Sequence, residues 1–201
     1  MELIADRCGM THILNVTLNP DGQLVNARFG AMRQTFRKAV TDARKIYGVP
    51  TAHNLDVVVA SSHPCDIEFW QAHKSLYPAA LMVKPGGTII VVTPCPEGVT
   101  VTHRELLEYA AEPAETILHR YETNQLDDRV AASLAVAWAR VREQAHVILV
   151  SDGITNAEAL ALGFERSPTV EEALSKIAAT SAGQLDIGVL THAPDTLPLL
   201  D

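Results

Sequence analysis

Apolar and polar positions follow two different patterns in the first fifty residues. Residues 12–18 and 23–29 form two β-strand-like runs, joined at 19–22 by a segment whose Pro, Asp and Gly suit a tight reversal. After Gly30, apolar residues recur at helical spacing until the chain meets Gly48 and Pro50. This part of the sequence therefore predicts an antiparallel hairpin followed by an amphipathic helix.

Beyond residue 54, short runs that are apolar throughout alternate with helical segments. The predicted strands are 55–60, 88–92, 147–150 and 185–190, and the predicted helices are 66–79, 103–119, 127–142, 156–162 and 169–180. Continuous apolar runs are typical of parallel strands covered on both faces. The pattern predicts an α/β fold with a doubly wound, mostly parallel sheet, and a ligand site at the carboxyl ends of its strands. It divides the chain into a hairpin–helix segment, 1–50, and an α/β domain, 51–201.

Charge and cysteine content narrow the classes of function. The chain has 16 Lys+Arg against 24 Asp+Glu, a net charge of −8, and no basic run, which argues against nucleic acid or an anionic membrane as a partner. The three cysteines are far apart and include no C-x-x-C pair, so no disulfide framework is expected. We expect a cytoplasmic protein, because the first ten residues carry charges where a signal peptide needs apolar residues, and no apolar run is long enough for a membrane span.

The segment 61–74 is the strongest local motif, because it leaves a predicted buried strand and enters a helix. Pro64 suits a first helical turn, with Ser62 or His63 as the cap. Trp70, Gln71 and Lys74 then share one helix face. A lysine can bind a carboxylate and a glutamine amide can bind a hydroxyl or carbonyl group. The alternative is a solvated helix face with a half-buried tryptophan.

The turn around Lys84-Pro85-Gly86-Gly87 predicts a helix end, with Lys84 on the last carbonyls and a glycine in the left-handed region. Similar turns occur in adenosylmethionine-dependent methyltransferases. The glycine-rich cofactor loop of that class is absent after the first predicted strand, which makes this assignment the weaker alternative.

Histidine spacing predicts no metal site, since the eight histidines form no H-x-x-x-H or H-E-x-x-H pattern. A lone histidine in this chain is therefore interpreted as a helix cap or a surface residue. Ser151-Asp152 follows a predicted strand without a G-x-S-x-G elbow, which favours a cap for the helix near Asn156 over a catalytic pair. Trp138 is predicted to be a core residue.

Five segments in the same order resemble the C-terminal half of the nickel-dependent lactate racemase family. They are ILNV at 13–16, ARKIYGVP at 43–50, the segment 66–74 with its QAHK end, VKPGGTII at 83–90 and CPEG at 95–98. The resemblance implies a nickel-pincer nucleotide that accepts a hydride from the α-carbon of a small 2-hydroxy acid substrate and returns it to either face. It implies that this cofactor lies in a cleft between two domains.

By motif match, the resemblance assigns Gln71 and Lys74 to catalysis and Trp70, where the family commonly has Tyr, to a position beside the pyridinium ring of the cofactor. The resemblance makes the chain a racemase or epimerase component. Asp66, Glu97 and Asp152, near the predicted carboxyl ends of strands, are weaker candidates for the rim of the substrate cleft.

The resemblance also implies a partner for this chain. The family's N-terminal domain carries the covalent lysine, the nickel-ligating histidine and two catalytic histidines, and it would precede Met1; residues 1–50 are assigned to it. The isolated chain is therefore expected to be inactive and to bind no nickel-pincer nucleotide. Ser62-His63-Pro64-Cys65 and Leu126 depart from the family pattern, which suggests a substrate other than lactate, such as a larger hydroxy acid. The alternative is a non-catalytic α/β binding or interaction module.

Overall fold

The structure is a computed structural model that describes residues 1–200 and divides into two compact units. The first unit comprises Met1–Pro50 together with Asp195–Leu199, and the second comprises Thr51–Pro194 with Leu200. The division falls beside the boundary expected from the sequence, although a short segment near the C-terminus belongs to the first unit. That residues 1–50 belong to a preceding family domain stays a prediction.

The first unit contains the hairpin and helix that the sequence predicts. Its elements are α1 (Glu2–Arg7), β1 (His12–Leu18), β2 (Leu24–Ala31), α2 (Met32–Tyr47) and β3 (Gly48–Thr51), with β9 (Leu197–Leu200) paired to β3. β1 and β2 are antiparallel. Arg28 of β2 forms an ion pair with Asp42 of α2, which ties the hairpin to the helix. The helix α1 and the strand pair of β3 and β9 were not predicted.

Gly48 ends α2 without entering the left-handed region, since its backbone is extended with φ −74°. A Cβ atom at this position would lie 2.2 Å from the carbonyl oxygen of Arg44 and 2.8 Å from Leu199. Glycine is therefore needed here because the chain passes close to its own helix and to β9.

The second unit is built on a five-stranded parallel sheet with the order β7-β6-β5-β4-β8. Its strands are β4 (Leu55–Ser61), β5 (Val83–Val92), β6 (His146–Val150), β7 (Glu165–Ser167) and β8 (Ile187–Leu190). Its helices are α3 (Phe69–Ala72), α4 (Leu76–Met82), α5 (Leu106–Tyr109), α6 (Ala114–Glu122), α7 (Arg129–Gln144), α8 (Asn156–Ala161) and α9 (Val170–Thr180). The predicted α/β class and parallel sheet are confirmed. β7 was not predicted, because it is only three residues long and its residues are polar.

Helices cover both faces of this sheet, as a doubly wound fold requires. Val58 and Ala60 of β4 belong to the larger core, which also contains Phe69 and Trp138 and confirms the core position of the latter. Val57 and Val59 point the other way, into a smaller cluster with Ala173 of α9. Alternate residues of a strand thus reach opposite layers.

The entry into the 66–79 helix differs from the prediction. The helix begins only at Phe69 and is interrupted by a 3₁₀ turn (His73–Ser75) before α4. Pro64 lies in the preceding loop, outside any first helical turn, and neither Ser62 nor His63 is the cap. The carbonyl groups of residues 66 and 67 accept hydrogen bonds from the backbone N–H groups of Cys95 and Glu97. They are therefore not available for the hydrogen bonds of a helix.

Two further expectations need correction. The 103–119 segment forms two short helices, because extended Pro113 separates α5 from α6. Lys84 lies inside β5 and pairs with the carboxylate of Asp56, so it does not bind the last carbonyls of a helix. The neighbouring Gly86 does have the expected positive φ, at 76°.

Candidate functional site

The carboxyl ends of the central strands lead into loops that are fastened to one another. Ser62 donates its backbone N–H to the last carbonyl of β5, and Thr93 donates to the last carbonyl of β6, both at 3.0 Å. Gly153, in the loop after β6, donates to the carbonyl of Pro94 at 2.9 Å. A Cβ at Gly153 would lie 1.7 Å from the carbonyl oxygen of Cys95, so the two loops meet in a way that only glycine permits.

The start of α3 is held by the loop after β5. Phe69 and Trp70 donate their backbone N–H groups to the carbonyls of Gly98 and Val99, each at 2.9 Å. The first N–H groups of a helix have no partner within the helix and need one outside it. The loop supplies these partners and so fixes the position of the first turn of α3.

Gln71 and Lys74 lie together, as their spacing predicts. The ammonium group of Lys74 donates to the Oε1 atom of Gln71 at 2.6 Å. Gln71 is half-buried and Lys74 is exposed. The pair still offers the Gln71 NH₂ group and the other Lys74 N–H bonds, which are all donors. This arrangement suits an acidic or oxygen-rich ligand.

Trp70 stacks on a histidine that the sequence does not connect with it. The indole and the imidazole of His103 are nearly parallel, at 14°, with ring centroids 3.9 Å apart. The Nδ1 atom of His103 lies 2.5 Å from Oδ2 of Asp128, and Oδ1 of Asp128 caps α7 by accepting from Val130 and Ala131. The Ala131 N–H, followed by His103, lowers the pKa of the Asp128 carboxyl, which favours the ionised form.

The three weaker candidates lie in the loops after β4, β5 and β6. Asp66 is half-buried, with its carboxylate 3.5 Å from Nδ1 of His63. Glu97 and Asp152 are exposed, and within residues 1–200 their carboxylates make no hydrogen bond or ion pair. No such contact joins the three carboxylates to Gln71 or Lys74. The structure places each residue in its own loop, and their roles stay predictions.

Two histidine contacts were missed by the sequence. One is the pairing of His103 with Asp128. The other brings His63, after β4, to His192, after β8, with ring centroids 5.2 Å apart and perpendicular planes. No short motif could have signalled either, because each joins positions far apart in the chain. The helix-capping position of Asp128 was the only local signal.

Buried titratable groups lie next to the site without resembling catalytic groups. His73 is only 6% exposed, which corrects its interpretation as a cap or surface residue, and burial, with Lys74 as a smaller cause, lowers its pKa to about 4. Burial raises the pKa of the Cys95 thiol to about 11. A neutral imidazole and a protonated thiol in the core favour packing over acid–base or nucleophilic chemistry.

Among residues 1–200, no group of three or more His, Cys, Asp or Glu side chains is arranged to hold a metal ion. Over that range, no helix combines the length and the apolar character needed to cross a membrane.

A family model and a curated relative both connect this chain with lactate racemases. A family model described as the lactate racemase C-terminal domain matches residues 49–197. The lactate racemase of Lactiplantibacillus plantarum is 26% identical over 205 residues, covering 100% of this chain and 47% of the relative. The chain thus spans about half the length of the curated relative it matches.

Two solved structures share the fold. The lactate racemase apoprotein of Thermoanaerobacterium thermosaccharolyticum matches with a TM-score of 0.83 and 21% identity, over 98% of this chain and 48% of that chain. A protein from Thermotoga maritima matches with a TM-score of 0.63 and 14% identity, over 100% of this chain and 51% of that one. At these identities the likeness establishes the fold alone.

The resemblance drawn from five ordered segments is thereby confirmed. The matched range covers most of the chain, including β4 through β8 and all the candidate site residues. The fold predicted from the hydrophobic pattern, a parallel sheet preceded by a hairpin and helix, is also the fold observed and the fold of the lactate racemase apoprotein. The chain belongs to the lactate racemase C-terminal domain family.

Proposed function

We propose that this chain is the substrate- and cofactor-facing part of a nickel-pincer-dependent 2-hydroxyacid racemase or epimerase. Family membership supports the racemase assignment, and the similarity to a lactate racemase supports a small 2-hydroxy acid as substrate. The observation that carries the proposal is the Gln71–Lys74 pair, because it presents hydrogen-bond donors and a positive charge in the segment that directly follows Trp70.

In this proposal each side chain of the pair has a distinct task. The ammonium group of Lys74 binds the substrate carboxylate and holds that end of the acid in place. The NH₂ group of Gln71 donates to the oxygen of the substrate hydroxyl, and to the carbonyl oxygen that remains once the α-hydride has left and the hydroxyl proton has passed to one of the two catalytic histidines that the family resemblance assigns to the N-terminal domain. Holding both ends of the small acid keeps its α-carbon in one orientation.

Trp70 fits the cofactor that the family implies. Its indole is flat, half-buried and already oriented by a stacked partner, which suits contact with a pyridinium ring. When bound, the nickel-pincer nucleotide supplies a reversible hydride acceptor. The described residues of this chain offer no clustered metal ligands, so the proposal assigns nickel ligation and covalent attachment to the rest of the protein.

We infer that the chain works as one part of a longer protein. The partner is the remaining half that the longer relatives possess, residues 1–50 belong with it, and the isolated chain does not racemise. Asp66, Glu97 and Asp152 line the rim of the cleft. The protein is cytoplasmic and acts on a small molecule, with neither nucleic acid nor a membrane as partner.

The test is racemisation by the assembled, cofactor-loaded protein, followed by chiral chromatography of lactate and of larger 2-hydroxy acids. We expect Lys74→Ala to lower turnover by about 10²–10³, as loss of one placed donor does in other enzymes. Gln71→Ala should act in the same direction, and the double variant should be less than additive because both side chains hold one substrate.

Lys176→Ala is the matched control, since Lys176 is an exposed lysine on α9 that pairs with Glu165. Turnover of Lys74→Ala within about twofold of the parent, with cofactor bound, would mean that Lys74 is only a solvated residue and has no part in catalysis. An assembled, cofactor-loaded parent that does not racemise would instead favour the non-catalytic binding module.

A further inference from the structure

Trp70 is the member of the proposed site whose orientation depends on residues outside it. Its indole lies almost parallel to the imidazole of His103, 3.9 Å away. Contact between two flat rings at this separation resists rotation of either one, because turning a ring breaks the stacking. His103 is thus placed to decide the plane of the indole.

His103 is itself held by a charged group. The Oδ2 atom of Asp128 accepts from Nδ1 of His103, and an ionised carboxylate can only accept, so Nδ1 carries the proton. The second oxygen of Asp128 accepts from the N–H groups of Val130 and Ala131 at the start of α7. The imidazole is therefore anchored to a sixteen-residue helix.

The backbone on both sides of the stack is also fixed. His103 donates its N–H to the hydroxyl of Thr100, a residue only 4% exposed, at 3.2 Å. Val101 donates its N–H to the carboxylate of Glu68, just before α3, at 3.1 Å. These bonds keep the segment that carries His103 against the segment that carries Trp70.

We propose that His103 is a positioning residue that fixes the plane of the Trp70 indole, with Asp128 as its anchor. The inference rests on the proposed function only in one respect, that Trp70 faces the flat ring of the cofactor. An indole already held in its bound orientation loses less rotational freedom on binding, so the cofactor ring is bound more tightly. A change at the start of α7 would then alter the orientation of Trp70 through the side chains of Asp128 and His103.

Quenching of tryptophan fluorescence by acrylamide tests this in the full 201-residue chain, with no cofactor needed. The chain has two tryptophans, and Trp138 is fully buried, so acrylamide reports mainly on Trp70. We expect His103→Ala to raise the Stern–Volmer constant about twofold, because removing the stacked ring exposes one face of the indole. His146→Ala is the matched control, since His146 forms a similar pair with Glu165 away from any tryptophan ring contact, and it should leave quenching unchanged.

Two conservative variants separate positioning from general loosening. His103→Phe keeps a flat ring but cannot bond to Asp128, so its quenching should lie between that of the parent and that of His103→Ala. Asp128→Asn keeps a good helix cap but removes the charge that holds His103, and should give a smaller rise than His103→Ala. Far-UV circular dichroism checks that each variant is folded; if His103→Ala is not, the comparison of Asp128→Asn with the parent decides.

Parent-like quenching in folded His103→Ala would overturn the role of His103, and parent-like quenching in Asp128→Asn would overturn the anchor. The result is separable from the proposed function. If quenching rises but the assembled protein does not racemise, the positioning role stands and the proposed function fails. If quenching is unchanged while Lys74→Ala abolishes racemisation, the positioning role fails and the proposed function stands.

Discussion

The second unit contains two tryptophan–histidine pairs, and they use the same two side chains in different ways. Trp138 and His73 lie in the larger core, with ring centroids 5.4 Å apart and planes tilted by 52°. Within the described residues, neither Nδ1 of His73 nor Nε1 of Trp138 has a hydrogen-bond partner. Trp70 and His103 are partly exposed and stacked, and their imidazole is held by Asp128. A buried histidine without a charged partner, such as His73, serves as a packing residue. A partly exposed histidine that is bonded to a carboxylate, such as His103, is instead held in one orientation.

The largest expected difference between the pairs concerns stability. Trp138→Ala should lower the free energy of unfolding by about 3–5 kcal/mol, because it leaves a large cavity in the core. Trp70→Ala should cost clearly less, because Trp70 lies at the margin of that core and is partly exposed. Urea denaturation of both variants checks this. Equal losses would show that the two pairs carry similar shares of the packing.

The buried pair should also give the protein a distinct pH dependence. The pKa of His73 falls to about 4 in the folded state, from its ordinary value of 6.5, chiefly through burial. The stability contributed by its neutral form is complete above pH 6.5, declines as the unfolded chain takes up a proton, and is lost by about pH 4. The loss amounts to about 3 kcal/mol.

His73→Phe is the matched variant, since it keeps an aromatic ring and cannot titrate. Urea unfolding of both proteins between pH 7 and pH 4 should show a steeper decline for the parent. Parallel curves would mean that folding does not lower the pKa of His73.

The anchor of the surface pair should have a moderate effect on stability. Asp128→Ala removes the cap of α7 and should cost about 1 kcal/mol, whereas Asp128→Asn should retain most of that contribution. Thermal unfolding of the two variants at pH 7 compares them. If the asparagine variant is as unstable as the alanine variant, the charge of Asp128 matters more for folding than its role as a cap.

The smallest effect is expected at the proposed catalytic lysine. Lys74 is exposed and its one hydrogen bond is to a neighbouring side chain, so Lys74→Ala should change the free energy of unfolding by no more than about 0.5 kcal/mol. Urea denaturation beside the parent measures it. A loss of several kcal/mol would show that Lys74 stabilises the fold. An effect of the substitution on turnover could then not be separated from its effect on stability.

The sequence predicted those features that depend on local pattern. The apolar runs of β4, β5, β6 and β8 located the sheet, and the three-residue spacing of Gln71 and Lys74 brought their side chains together. It missed features that depend on distant partners. The late start of α3 follows from backbone bonds to the loop after β5, and the place of His103 follows from Asp128, twenty-five positions away. His73 was misjudged because one turn of 3₁₀ helix directs it to the core beside exposed Lys74.

The close approach at Gly153 has a consequence for protein engineering. A library that varies the loop after β6 to change substrate preference cannot include position 153, because any side chain there would force the loops after β5 and β6 apart. The neighbouring Asp152 is exposed and free of such contact, so it can be varied widely. The tolerance of this loop to mutation therefore changes from nearly complete to almost none within a single residue.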